Sequence, residues 1–153
     1  MTSDALLPPP DASGPRPGRP TVGDVMRPPV TTVEPQAHLA AAAYLMKRSG
    51  DNALLVISDD DSRRPLAILT DTDISHAVAD GRDLQTTRIS ELHRAVPVTV
   101  ERDTSVEEAA RSMLAHGIRH LPVVDGGRLV GLLDLSGVCA ALLDQDGDRP
   151  AAP

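Results

Sequence analysis

Apolar positions recur at helical spacing in some stretches of this chain and as short unbroken runs in others. Leu39, Ala42, Ala43 and Met46 share one face of a helix predicted over residues 38–49, and Gly50 is placed to end it as a left-handed cap. Val106, Ala109, Ala110, Met113 and Leu114 draw the same stripe, closed by Gly117, and Thr104 with Glu107 has the pattern of a capping box at its start. Apolar runs predict short strands at Val30–Val33, Ala53–Ile57, Leu66–Leu69, Pro97–Val100, Leu121–Val124 and Leu129–Leu132. The polar loop DDDSRRP joins the second and third of these, and the hairpin signal Asp125-Gly126-Gly127 joins the last two. Two more helices are predicted: Asp71–Ala79, with Ile74, Ala77 and Val78 on one face, and a last one carrying Leu135, Val138, Cys139, Leu142 and Leu143. Val22–Met26 reads as a short helical lead-in stopped by Pro28-Pro29.

The pattern is said twice. Thr31–Val33, Leu39–Gly50 and Ala53–Ile57 reappear as Val98–Val100, Val106–Gly117 and His120–Val124, at an offset of about 67 positions. The expected fold is α+β (α/β): two pseudo-symmetric β-α-β-β-α repeats packed through their sheets. A unit of about 60 residues is marginal alone, so the copies are expected to share a core. The expected organisation is a Pro-rich tail over 1–20, repeats over 21–84 and 85–143, and a second loose tail over 144–153.

Composition narrows the function. Tyr44 is the only aromatic residue, so the core is built from Val, Leu, Ile, Ala and Met, and there are no stacking platforms for single-stranded nucleic acid. The net charge of −7 argues against binding along a nucleic-acid backbone. Cys139 stands alone and cannot form an internal disulfide, which fits a reducing cytosol. The start MTSDALLPPP lacks the features of a signal peptide, and no apolar run approaches the ~20 residues of a membrane span, so a cytoplasmic protein without a membrane partner is expected.

VGDVM, VTTVEP, VTVERDTSVEEAA and HGIRHLPVVD, with PLAILTDTD and LVGLLDLSGV at the repeat ends, resemble a tandem pair of CBS domains across residues 22–143. The resemblance implies two inter-repeat clefts able to hold AMP, ADP, ATP or S-adenosylmethionine, no required cofactor, and a homodimer. In that family the last strand ends on roughly Gly-x-x-Thr-x-x-Asp, where Asp takes the ribose hydroxyls and Thr holds ribose or phosphate. The first repeat keeps Thr70 and Asp73 but has Ala67 for the Gly; the second keeps Gly131 but has Asp134 and Gly137 for Thr and Asp. One competent cleft is therefore expected, while Asp134 would repel phosphate in the other. The same resemblance makes Arg119 and His120 phosphate candidates, and Thr31, Val33, Leu54 and Leu55 candidates for holding adenine.

The residues themselves leave alternatives open. A carboxylate can accept from two vicinal hydroxyls, and free amides at the helix start behind Thr70 would suit an anion. Thr-x-x-Asp is equally a plain capping box. Arg119 and His120 are equally a surface Arg and a half-buried His at a strand start. Arg63 and Arg64 fit a solvated loop better than a phosphate contact. His116 and His120 have helical metal spacing, but Gly117 and Pro122 interrupt any helix and no acidic third ligand is near. Asp59-Asp60-Asp61 lacks the Gly and distal Glu of a calcium loop. No nucleophile elbow or phosphate-binding Gly-rich loop is present. The expectation is a non-catalytic regulatory module sensing an adenine nucleotide for an unknown separate partner, of the kind linked to stress or energy state. The alternative is a ligand-free dimerisation or protein-interaction module with degenerate sites, acting through the apolar stripe Leu135–Leu143.

Overall fold

The computed structural model describes residues 18–28, 31–92 and 95–147, with side chains to residue 145. Each copy forms a three-stranded sheet. In the first, β1 (Thr32–Val33) lies parallel to β2 (Ala53–Ile57), which pairs antiparallel with β3 (Pro65–Thr70). In the second, β4 (Val100–Glu101), β5 (His120–Asp125) and β6 (Arg128–Asp134) do the same. The registers coincide: Val33 pairs with Val56, and Val100 with Val123. Even the irregularity repeats, between Val56 and Ile57 and between Val123 and Val124.

Helices cover the outer faces. A first helix, α1 (Val22–Val25), precedes β1, and α2 (Leu39–Ser49) and α3 (Asp71–Ala79) belong to the first repeat. In the second repeat, α4 (Val106–His116) and α5 (Leu135–Gly147) hold the corresponding places. Gly50 and Gly117 end α2 and α4 at φ 74° and 61°, the left-handed conformation that glycine adopts without strain. The start of α4 differs from expectation. Its cap is Ser105, which accepts from the backbone N–H of Glu108 at 3.2 Å, while Glu107 instead pairs with Arg19 at 2.8 Å. α5 runs to Gly147, past the Leu143 where the sequence pattern ends. Of the expected tail, residues 1–17 lie outside the described residues. Residues 18–20 run onto α4, where the Pro20 carbonyl accepts from Val106 at 3.2 Å. Position 30 of the first expected strand and residues 148–153 also lie outside the described residues.

β2 is buried on both faces, which is why it reads as a continuous apolar run rather than an alternating one. Leu54 and Val56 face a core shared with Leu39, Met46 and Leu69; Val106, Met113, Leu121 and Leu133 form its counterpart in the second repeat. Leu55 and Ile57 turn the other way and meet Leu129 and Leu132, with Ile68 beside them, so the two sheets pack through this third cluster.

The lead-ins are exchanged. Val22 is fully buried in the second repeat's core, and Ile89, its counterpart at the start of a single 3₁₀ turn (Ile89–Glu91), lies in the first repeat's core. The hydrogen bonds match one for one. Val22 donates to Thr104 at 2.8 Å and Ile89 to Ala37 at 2.9 Å; Gly23 donates to Arg102 at 2.7 Å and Ser90 to Pro35 at 2.9 Å. Each lead-in thus satisfies backbone groups at the helix start of the repeat it covers.

Candidate functional site

β3 of the first repeat and β5 of the second bring their ends together around a cavity of about 480 Å³. Ile68 and Thr70 line it from the first repeat, and Ala95, Val96, Pro97, Val98, His116, Ile118, Arg119 and His120 from the second. That volume is within the range of small-molecule sites, and an apolar wall with a few convergent polar groups is their usual make-up.

Thr70 is the N-cap of α3. Its backbone N–H and its hydroxyl donate to Asp73 Oδ2 at 2.7 and 2.9 Å, and Thr70 Oγ1 accepts from the Asp73 N–H at 3.4 Å. The capping box is therefore formed, with Asp73 Oδ2 accepting both bonds from Thr70. The amides expected to be free for an anion are not free. Asp71 N–H donates to the Asn52 carbonyl at 3.0 Å, Thr72 N–H to Asp71 Oδ1 at 2.8 Å, and Asp73 N–H to Thr70. Asp71 and Asp73 both lie in the first turn of α3, which places negative charge at its start. The positive charge of this cleft lies on the facing repeat.

Arg119 is exposed, and its carbonyl accepts from Leu135 at 3.0 Å, fixing the backbone beside His120. His120 is half-buried. Burial holds its pKa below the usual histidine value; Asp134 opposes this, Arg27 and Arg119 add to it, and Asp71 opposes it. His116, at the end of α4, donates from Nδ1 to the Ser112 carbonyl at 2.9 Å. Among the described residues no group of three or more His, Cys, Asp or Glu is placed to hold a metal.

The structure thus gathers Thr70, Arg119 and His120 in one cleft, with Asp73 bonded to Thr70. It does not bring the adenine candidates there. Val33 and Leu54 belong to the first repeat's core and Leu55 to the inter-sheet cluster, while Thr31 is partly exposed just before β1 and does not line this cavity. The apolar wall comes from 95–98, and Val98 is the counterpart of Thr31 in the other copy. The repeats cross, so β3 of one faces the entry segment of the other. Only the pseudo-symmetry of the chain carries that information, and no local pattern in 95–98 or at Ile118 does.

Arg63 and Arg64 are elsewhere. Arg63, at φ 47°, presents its carbonyl to Leu129 N–H at 3.1 Å, and Arg64 Nε donates to Ser62 Oγ at 3.3 Å. Arg63 lines a separate cavity with Glu34, Asp59, Asp60, Asp61 and Arg128. Asp60 organises that loop, accepting from the hydroxyls of Ser62 and Ser58, and these bonds hold its pKa below the usual carboxylate value.

At the second cleft, the pseudo-symmetric counterpart of this cavity, Asp134 occupies the place of Thr70. Its Oδ1 accepts from Gly137 N–H at 2.7 Å and its Oδ2 meets Arg27 Nη2 at 2.6 Å. Asp134 is therefore a paired carboxylate, held by Arg27 and by the backbone of α5.

Two units of this topology, facing each other through their sheets with a cavity where β3 of one meets β5 of the other, define a tandem-repeat module. A CBS domain family model matches it twice, over residues 22–80 and 89–144, and the chain belongs to that family. It is 37% identical over 116 residues to the CBS domain-containing protein YhcV of Bacillus subtilis, covering 75% of this chain and 80% of that one. The first curated relatives it matches are spanned to 60, 80 and 68% of their length. Among solved structures, a CBS domain protein of Pyrobaculum aerophilum complexed with AMP superposes with a TM-score of 0.74 at 27% identity, over 83% of this chain and 98% of that one. CBSX2 in complex with AMP superposes with a TM-score of 0.70 at 30% identity, over 82% and 98%.

Proposed function

We propose that this chain is a non-catalytic sensor that binds one adenosine-containing ligand in the cleft of Thr70, Asp73, Arg119 and His120, and reports its presence to a separate protein. The observation that carries the reading is the meeting of Thr70 from one repeat with Arg119 and His120 from the other around a single cavity. Asp73 accepts from the ribose hydroxyls, the apolar wall of Val96–Val98 and Ile118 covers the base, and Arg119 with His120 takes phosphate. The two AMP-bound relatives support the ligand class. AMP, ADP, ATP and S-adenosylmethionine all fit these roles, and calorimetry against the four identifies the ligand. The expected result is saturable binding that Asp73→Ala weakens at least ~10-fold, about 1.4 kcal/mol, and that Arg119→Ala weakens for phosphate-bearing ligands only. Heat with none of the four overturns the assignment.

An interaction module is the second reading, and one observation favours it. Leu114, Leu135 and Leu143 on the packed pair α4 and α5 are 81, 43 and 69% exposed. This apolar face is our proposed homodimer surface, and it remains the working surface if no nucleotide binds.

A further inference from the structure

Arg27 lies at the second cleft with its backbone anchored. Its N–H donates to the Leu132 carbonyl at 2.9 Å and its own carbonyl accepts from Leu132 at 3.1 Å. The approach is so close that a Cβ on Gly131 would lie 2.5 Å from Met26 Sδ and 2.7 Å from the Arg27 carbonyl oxygen. From that fixed point the guanidinium reaches both repeats. Nη2 is 2.6 Å from Asp134 Oδ2 of the second, and Nη1 is 3.3 Å from Asp51 Oδ1 of the first. The two carboxylate side chains are 20 and 17% exposed, whereas Arg27 is 48% exposed. The anions are shielded and the cation closes over them from the solvent side.

Two shielded carboxylates converging on one point need a counter-cation, because either one left unmatched pays desolvation and repels the other. A guanidinium suits the place, since its planar fork donates to both at once. The first cleft has no such seat: Thr70 and Ile118 stand where the second has Asp134 and Asp51.

We propose that the second cleft is a guanidinium site that carries its own occupant: Asp51 and Asp134 form a two-carboxylate seat, and Arg27 fills it in cis, tying the repeats together at the place of a ligand. The site accepts a planar cation and refuses phosphate, so the chain holds one nucleotide at most. This inference stands on the second cleft's own geometry and does not depend on the first cleft binding anything.

The test uses the full chain, Arg27→Ala, and the triple variant Arg27→Ala/Asp51→Asn/Asp134→Asn. Thermal unfolding is followed with millimolar methylguanidinium and, at matched ionic strength, tetramethylammonium. The expected result is a midpoint several degrees lower for Arg27→Ala, recovered in part by methylguanidinium but not by tetramethylammonium, with the parent protein unmoved. The triple variant, relieved of both carboxylates, melts closer to the parent and ignores the cation. An unchanged midpoint in Arg27→Ala overturns the proposal, and so does a loss that neither methylguanidinium nor the two Asn substitutions restore. If Arg27→Ala does not fold, a folded triple variant supports the proposal and an unfolded one refutes it. Calorimetry with AMP separates the two readings: two sites per chain in the parent refute the self-filled cleft, while none refutes only the proposed function and leaves the thermal result decisive for Arg27.

Discussion

At His120 burial and four charges act on one imidazole that also lines the first cleft. Burial is the largest influence and keeps the ring neutral at a pH where an exposed histidine begins to protonate. The unfolded chain therefore binds this proton more readily than the folded one, and the stability that His120 contributes is lost as the pH falls through about 6.5. A bound phosphate reverses the sign locally, because it favours the imidazolium. Two opposite trends are expected on going from mildly alkaline to mildly acidic buffer: the free protein melts lower, while its affinity for a phosphate-bearing nucleotide rises a few-fold. In His120→Gln both trends should flatten, and thermal unfolding with calorimetry across that range reads them. An affinity trend that persists in His120→Gln would assign the proton to the ligand or to His116. Thr70, Arg119 and His120 stand out as candidates in the sequence because each departs from its counterpart in the other copy, and the structure gathers all three around one cavity. Thr31, Val33, Leu54 and Leu55 do not line that cavity, because an apolar strand position does not say which of two sheet faces it lines, nor that the cleft borrows its entry segment from the other repeat.

The same ambiguity governs whole elements. α5 carries an apolar pattern too wide for one face. Val138 is 2% exposed within the second core, Ala141 is buried there and Leu142 is partly buried, whereas Leu135, Cys139 and Leu143 point to solvent. The sequence places Val138 and Leu142 together on a dimer stripe; the structure assigns Val138 to the chain's own core. Val138→Asp should therefore buries a charge without a partner and abolish cooperative unfolding. Leu143→Asp should leave the far-ultraviolet circular dichroism unchanged and the stability within about 0.5 kcal/mol of the parent, and halve the mass seen by light scattering. A folded Leu143→Asp of unchanged mass would move the dimer surface elsewhere. At α4 the error was one residue: Thr104/Glu107 and Ser105/Glu108 both satisfy the capping spacing, and only the chain path from Pro20 and Val22 selects the second.

At the scale of the molecule, repetition was the strongest signal. It pointed to two equivalent sheets, and the structure shows that they share even their register and their irregularity. It was silent on which repeat each lead-in covers, since Val22 and Ile89 would fill either core equally well by type. The exchange has a consequence for how the protein is made. A chain leaves the ribosome from its first residue, so the first repeat receives its cover, Thr87–Glu91, as soon as its own strands and helices have emerged. α1 is made before everything it packs against. Its Val22, Val25 and Met26 stay in water until β6 and α5, the last elements synthesised, are in place. Nascent chains arrested once Leu92 has cleared the ribosomal exit tunnel should already resist proteolysis across α2, β2 and β3 while being cut between Pro20 and Arg27. Equal protection of that segment at this stage would mean that α1 first docks on the repeat beside it and changes partners later.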